Sequence, residues 1–283
     1  MKVKTGLRRD TTDKFYTKPS TVNICLQAIR EHNLIGHNDL VIEPSAGNGA
    51  FMDGIRSITA KCVFYDLIPE HSDVIQQDYL EYTPPHENSD YHYSKIHIIG
   101  NPPFGRQSSK AIQFIRKSAE FSNSISFILP KSFQKESMQK YFPLNFHLVK
   151  QIELSNDSFY VGNTIHNVPT VFQIWVKQDF PRTVKPRPKP SNHYCFVKKD
   201  ENPTIAIRRV GVYAGKVFLS TVDKSSQSHY FIYLDESLPI EEIVEKFNQV
   251  VFHSSTYTVG PKSISKSEMI EQYNCILSSY SLP

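Results

Sequence analysis

The chain has 283 residues, of which 39% are hydrophobic and 12% aromatic, and a formal charge of only +4. That apolar fraction excludes a disordered chain, the length suits one catalytic-size domain plus a smaller module, and no apolar run approaches the roughly 20 residues of a membrane span. The four cysteines, Cys25, Cys62, Cys195 and Cys275, lie far apart with no CxxC pair, so neither a zinc site nor a disulfide framework is indicated.

Residues 1–19 form a basic segment, with Lys2, Lys4, Arg8, Arg9, Lys14 and Lys18 against Asp10 and Asp13. The segment is polar rather than an apolar secretion signal, so the expected setting is soluble and intracellular, cytoplasmic or nuclear, with no membrane partner. Ser20 and Thr21 precede Val22, Cys25, Leu26 and Ile29 at helical spacing, which predicts a side-chain-capped first helix. Short apolar runs then follow at 39–43, 61–65, 96–99 and 124–129, each the size of a buried strand, with helical stretches at 110–121 and 131–141 among them. Strands at 147–154 and 168–177 close the pattern, joined by a loop containing Phe159, Tyr160 and Gly162. This alternation predicts an α/β domain over residues 20–179, a mostly parallel sheet with an antiparallel edge strand.

Residues 180–190 carry four prolines and read as a stiff extended linker. Beyond it, residues 191–283 show four short strand patterns, at 194–198, 204–209, 216–221 and 230–234, then helices near 240–252 and 265–277: a small α+β module. Positive charge collects here too. Residues 181–216 hold nine basic side chains, Arg208 and Arg209 among them, against Asp200 and Glu201. The two basic flanks carry +4 and +7, leaving the rest of the chain at about −7, a distribution that favours a polyanionic partner.

Three features bear chemistry. After the first strand come Glu43, Ala46, Gly47 and Gly49; glycines two apart at a strand-to-helix turn let the backbone approach a ligand, and the strand-end carboxylate can orient the loop or bind that ligand. Asp66 ends the second strand, where an acid accepts hydrogen bonds from a ribose diol in Rossmann-like folds, and Asp78 follows another short apolar segment. Taken singly, each acid is equally readable as a helix cap or a solvated turn. The third glycine of a dinucleotide loop and the GxxxxGK of a P-loop are both missing. The third feature is Asn101-Pro102-Pro103-Phe104 at the end of the 96–99 strand. The prolines stiffen the turn and hold the Asn101 amide and Pro102 carbonyl in fixed directions, two acceptors suited to an exocyclic amino group, while Phe104 offers a flat face to a planar base.

The Asn101–Phe104 run resembles the Asn-Pro-Pro-Phe/Tyr signature of S-adenosylmethionine-dependent amino-methyltransferases, residues 43–51 resemble their cofactor loop, and residues 13–19 resemble the segment that precedes their first helix. The motif order is similar to the gamma group of DNA adenine-N6 methyltransferases. The resemblance covers roughly residues 13–177 and implies a Rossmann-like class I methyltransferase sheet. It implies that Tyr16, Thr17 and Pro19 border S-adenosylmethionine, that Glu43, Ala46, Gly47 and Gly49 form its loop, that Asp66 binds its ribose and Asp78 its adenine amino group. Asn101 and the Pro102 carbonyl then accept hydrogen bonds from the target N6 amino group and direct its lone pair at the sulfonium methyl, with no covalent intermediate and no metal. Phe159, with Tyr160 second, is the expected face opposite Phe104 for a flipped-out adenine; the alternative is that Phe159 packs its loop onto the core.

The expected activity is adenine-N6 methylation of DNA. The alternatives are the same chemistry on RNA, methylation of a protein glutamine amide, and a non-catalytic nucleic-acid-binding module. Residues 191–283 are expected to recognise the substrate, with Arg208 and Arg209 as phosphate contacts; target sequence and oligomeric state are not legible.

Overall fold

The computed structural model describes residues 15–84, 93–162, 164–258 and 260–280, so Asp13 and the basic residues Lys2, Lys4, Arg8, Arg9 and Lys14 lie outside the described residues. The chain divides into two compact units, residues 1–183 and 184–283.

In the first unit the elements run β1 (Tyr16–Thr17), α1 (Pro19–Glu31), β2 (Leu40–Glu43), α2 (Met52–Arg56), β3 (Cys62–Asp66), β4 (Ile75–Gln76), β5 (Ile96–Gly100) and α3 (Ser109–Phe121). They continue with β6 (Ser124–Pro130), α4 (Glu136–Gln139), β7 (Phe146–Glu153), β8 (Phe159–Val161), β9 (Thr164–His166) and β10 (Thr170–Lys177). Seven strands form one sheet in the order β4-β3-β2-β5-β6-β10-β7. Pairing is parallel from β4 through β6, and β10 runs antiparallel to both β6 and β7. This is the Rossmann-like, mostly parallel sheet expected, with the antiparallel strand inserted at one end beside β7. Strands β2, β5 and β6 are buried along their whole length, which is why they read as continuous apolar runs rather than alternating ones.

The order of winding places the site. The chain builds outward from β2 through β3 to β4, then returns to lay β5 on the other side of β2. Where the direction of winding reverses, the loops after neighbouring parallel strands diverge and leave a crevice at the strands' carboxyl ends. Here those ends are Glu43 and Gly100, so the glycine loop and Asn101 face each other across one crevice.

Two local expectations need correction. The first helix is not capped by Ser20 or Thr21: it starts at Pro19, the preceding Lys18 provides no side-chain cap, and Thr21 is already buried in the first turn. Proline at the first helical position has the right φ and lacks an N–H that would be orphaned there. The stretch 131–141 is also not one helix. Lys131–Gln134 form a 3₁₀ turn, Lys135 is extended, and only α4 follows. The break is held from outside: the buried Gln173 side chain on β10 donates to the Phe133 carbonyl (2.9 Å), as does Gln139 (3.1 Å).

The loop between β7 and β10 differs as well. It folds into a hairpin, β8–β9, and β8 pairs with β1 (Tyr16↔Tyr160, Thr17↔Phe159) in a separate three-stranded sheet. At the opposite ends of the main strands, buried His97 bridges Asp39 (3.1 Å) and Ser124 (2.7 Å), tying β2, β5 and β6 together; burial lowers its pKa.

The second unit contains β11 (Tyr194–Val197), β12 (Ile205–Arg208), β13 (Val217–Phe218), β14 (His229–Leu234), α5 (Ile240–Asn248) and α6 (Lys266–Leu277). Its antiparallel sheet has the order β11-β14-β12-β13. The core includes Ile205, Ile207, Ile232, Phe247 and Tyr273, the last two stacked at 3.6 Å. Helix α6 starts in a capping box, Ser265 with Glu268.

Candidate functional site

A cleft of about 390 Å³ opens at the carboxyl ends of the strands in the first unit. Of the residues singled out from the sequence, Tyr16, Thr17, Glu43, Ala46, Gly47, Asp66, Asp78, Asn101 and Pro103 line it. Residues 15–17, 43–51, 66–80 and 101–103 are thereby gathered around one volume.

The glycine loop is fixed by β3. The Ala46 amide donates to the Tyr65 carbonyl (2.8 Å) and the Gly47 amide to Asp66 Oδ2 (2.8 Å), while Asp66 Oδ1 accepts from the Ile68 amide (2.8 Å). Asp66 therefore holds two turns in place with its two oxygens, whatever else it binds. Gly47 and Gly49 both have positive φ, +53° and +84°, and a Cβ on Gly49 would lie 2.5 Å from Met52 Sδ. Gly49 shapes the turn rather than lining the cleft. Asp78 does what the more ordinary expectation held: its carboxylate caps the 3₁₀ turn Tyr79–Glu81 by accepting from the Leu80 amide (2.9 Å), though it also lines the cleft.

Glu43 is the electrostatic anomaly of the cleft. It is fully enclosed, its Oε2 has no hydrogen-bond partner, and burial, reinforced by the Asp66 charge, pushes its carboxyl up to about 8. At neutral pH it is thus largely protonated. A buried carboxyl with an unmatched oxygen is costly unless a cation or donor arrives beside it.

Asn101 is set from two sides. Its Nδ2 donates to the Phe15 carbonyl (3.3 Å) and to Thr17 Oγ1 (3.2 Å), and its own carbonyl accepts from Ser45 Oγ (3.1 Å). Both donors of the side-chain amide are turned toward β1 and the segment before it, and Oδ1 is left buried without a partner. Tyr16, next in β1, stacks on Tyr160 (5.6 Å) and donates to Glu70 (2.6 Å), a bond that pushes its phenol up to about 12.

Several expected positions fall elsewhere. Pro19 is exposed at the helix start, and Pro102 is buried outside the lining of the cleft. Phe104 is not an open stacking face: it is buried, and its carbonyl accepts from the Lys110 (3.1 Å) and Ala111 (3.3 Å) amides at the start of α3. Phe159 is likewise 0% exposed, packed edge-on against Phe15 at 6.4 Å. As a strand residue opposite Thr17, it points into the seam that fastens β1. Tyr160 lies beside the loop, accepting weakly from Asn48 (3.4 Å). In the second unit, Arg208 donates to the Val210 carbonyl (2.8 Å) and Ser228 Oγ (3.2 Å), and Arg209 donates twice to the Gln227 carbonyl. Both are tied to their own turns, not extended as free phosphate contacts. Arg182 is similarly spent on main-chain carbonyls of Gln139, Phe142, Pro143 and Phe146.

Residues missed from the sequence include Phe15, Leu67, Ile68, Glu70, Tyr79, Lys110 and Phe114, all lining the cleft. Leu67 and Ile68 had a usable signal, two apolar residues left exposed directly after the strand-end acid. Among the described residues no cluster of His, Cys, Asp or Glu has the makings of a metal site, and no helix is long and apolar enough to cross a membrane.

No family model and no curated protein matches the chain. Solved structures do. The chain is similar to a candidate RNA methyltransferase from Pyrococcus horikoshii (13% identity, 62% of this chain and 93% of that one, TM-score 0.45). It is similar to a candidate class I S-adenosylmethionine-dependent methyltransferase from Listeria monocytogenes (14% identity, 62% and 64%, TM-score 0.45). A third is a modification subunit of a candidate type I restriction enzyme from Vibrio vulnificus (12% identity, 58% and 44%, TM-score 0.44), of which the chain spans less than half.

Proposed function

We propose that the first unit transfers a methyl group from S-adenosylmethionine to the N6 amino group of an adenine in DNA, presented unpaired or flipped out, and that residues 191–283 recognise the nucleic acid. The observation that carries this reading is the side chain of Asn101, a residue of the cleft lining, whose donors are both engaged by the β1 segment while its acceptor Oδ1 is buried and unpartnered.

The cleft fits the cofactor on its own terms. Glu43 brings an unmatched carboxyl oxygen suited to a cationic or amine-bearing ligand, the positive-φ turn at Gly47 brings backbone close to the cleft, and Asp66 and Asp78 stand at successive strand ends. When bound, S-adenosylmethionine supplies an electrophilic methyl group. The remaining work belongs to the chain. Asn101 Oδ1 accepts one amino N–H, which draws the nitrogen lone pair out of conjugation with the ring and orients it. The Phe15 carbonyl and Thr17 hydroxyl keep the amide from rotating to offer a donor instead. Tyr16, Phe51, Tyr79 and Phe114 give the cleft apolar walls that limit water and strengthen these dipoles. Positioning of this kind accounts for a large share of rate in group transfer between held partners.

The test is incubation with methyl-labelled S-adenosylmethionine and separate DNA, RNA and protein acceptors, followed by digestion and identification of the modified group by mass. N6-methyladenine in DNA is the expected product, and Asn101→Ala is expected to lose transfer by at least a hundredfold while cofactor affinity changes only a few-fold. Label in RNA moves the reading to the RNA alternative. Retained transfer in the variant, or label on protein alone, refutes it.

A further inference from the structure

The second unit holds a cleft of its own, also about 390 Å³, lined by Phe196, Tyr230, Lys198, Lys199, Asp200 and Lys266, with Ser226, His229 and neighbouring strand residues at its sides. Its volume is in the range that encloses a ligand of nucleotide size. Phe196 on β11 and Tyr230 on β14 meet edge to face at 6.0 Å. Each is half-buried, with one side packed on the unit's core and the other toward the cleft. Lys266, at the first position of α6, is exposed and holds its ammonium 4.2 Å from the Phe196 ring centre and 5.6 Å from that of Tyr230.

Three lysines meet one carboxylate in this cleft. Lys199 donates to the Val222 carbonyl (2.7 Å) and Lys198 has a loose pair with Glu201 at 3.6 Å, whereas no carboxylate lies within ion-pair distance of Lys266 among the described residues. Among the described residues its exposed ammonium contacts only ring faces, an arrangement that a phosphate would readily outcompete, since a charge-assisted bond is stronger than an exposed cation–π contact. On moving to the phosphate, the lysine vacates the Phe196 face, which then takes a base. Duplex bases, already stacked, cannot use such a platform; unpaired bases can.

We infer that this cleft binds a single-stranded segment of nucleic acid, with one phosphate on Lys266 and its base against the Phe196–Tyr230 corner. The inference rests on the nucleic-acid reading above for its ligand class, and the two are tested apart.

The probe is a fluorescein-labelled 12-nucleotide DNA strand, titrated with the full chain at several salt concentrations beside the matching duplex and inorganic tripolyphosphate. The expected result is a preference for the single strand. Lys266→Gln is expected to weaken binding about five- to tenfold and to flatten the slope of log K against log salt by about 0.7, the value for one single-strand phosphate. Lys246→Gln, whose lysine lies on α5 and is paired there with Glu242 and with Tyr280 beyond α6, is expected to change nothing. With 4-thiothymidine in the strand, photocrosslinks are expected on peptides containing Phe196 or Tyr230.

An unchanged slope in Lys266→Gln, crosslinks confined to other peptides, or equal competition by tripolyphosphate overturns the inference. Methyl transfer is scored separately with the same oligonucleotide. Binding at the cleft without transfer removes the proposed reaction and leaves the cleft, and transfer with an unaltered KM for the strand in Lys266→Gln does the reverse.

Discussion

Replacing Glu43 by Gln tests the charge state of the cleft without any ligand. The carboxyl is enclosed, lacks a partner for Oε2, and sits near 8 instead of its ordinary 4.5. An acid whose pKa is higher in the folded than in the unfolded chain binds more protons when folded. Its favourable state is therefore present at low pH, and stability is lost as pH rises from the ordinary value toward about 8. At about 1.4 kcal/mol per pH unit, the stability gained by Glu43→Gln is expected to grow by about 3 to 4 kcal/mol between pH 5 and pH 8. Any constant effect of the new amide cancels in that difference. The assay is urea unfolding followed by Trp175, the chain's only tryptophan, which is buried against Phe142 in the first unit and reports that unit's unfolding. A stability difference independent of pH, or one that shrinks as pH rises, refutes a protonated Glu43.

Asp66→Asn leaves one of the two backbone amides at Gly47 and Ile68 without its acceptor, and is expected to weaken S-adenosylmethionine binding about ten- to a hundredfold by equilibrium dialysis. Gly49→Ala imposes a side chain at φ +84° against Met52 and is expected to cost about 1–3 kcal/mol in urea unfolding; Met52→Ala in the same chain relieves the clash but not the backbone strain. Phe159→Ala is expected to destabilise the first unit by about 3–5 kcal/mol, because it empties a fully buried site. Recovery of both stability and transfer in Phe159→Leu distinguishes packing from base stacking; recovered stability with transfer still lost restores the stacking role.

The parallel strands β2, β5 and β6 were legible because burial on both faces leaves unbroken apolar runs, and the strand-end positions of Glu43 and Asn101 followed from those runs. Strand β3, ending in Asp66, is half-buried yet still apolar, whereas β4, exposed and two residues long, left no such run. The β1–β8–β9 sheet was not legible. Its strands are two or three residues long, too short to carry a period, and β1 pairs with β8 across about 140 residues of chain. For the same reason spacing could not tell whether Phe159 faced inward. Phe104 misled differently: proline-stiffened turns fix the main chain, yet do not say on which side the next ring lies. Arg182, Arg208 and Arg209 show the limit of charge counting, since a guanidinium with five donors can be consumed by nearby carbonyls and still score as +1. The aromatic cleft of the second unit draws Phe196, Tyr230 and Lys266 from three separate elements, and nothing in their local sequence links them.

The pairing of residues 16 and 17 with 160 and 159 has a bearing on how the chain is made. During synthesis Asn101 emerges long before its partners are held, because the strand carrying the Thr17 hydroxyl gains its own template only when β8 has left the ribosome. Closing so long a loop is slow relative to local structure. The sheet's central strands are thus in place before the amide of Asn101 is locked, and a nascent or truncated chain ending short of residue 159 has its glycine loop but an amide free to rotate. The Asn101 amide is fixed late, by the same pairing that anchors β1.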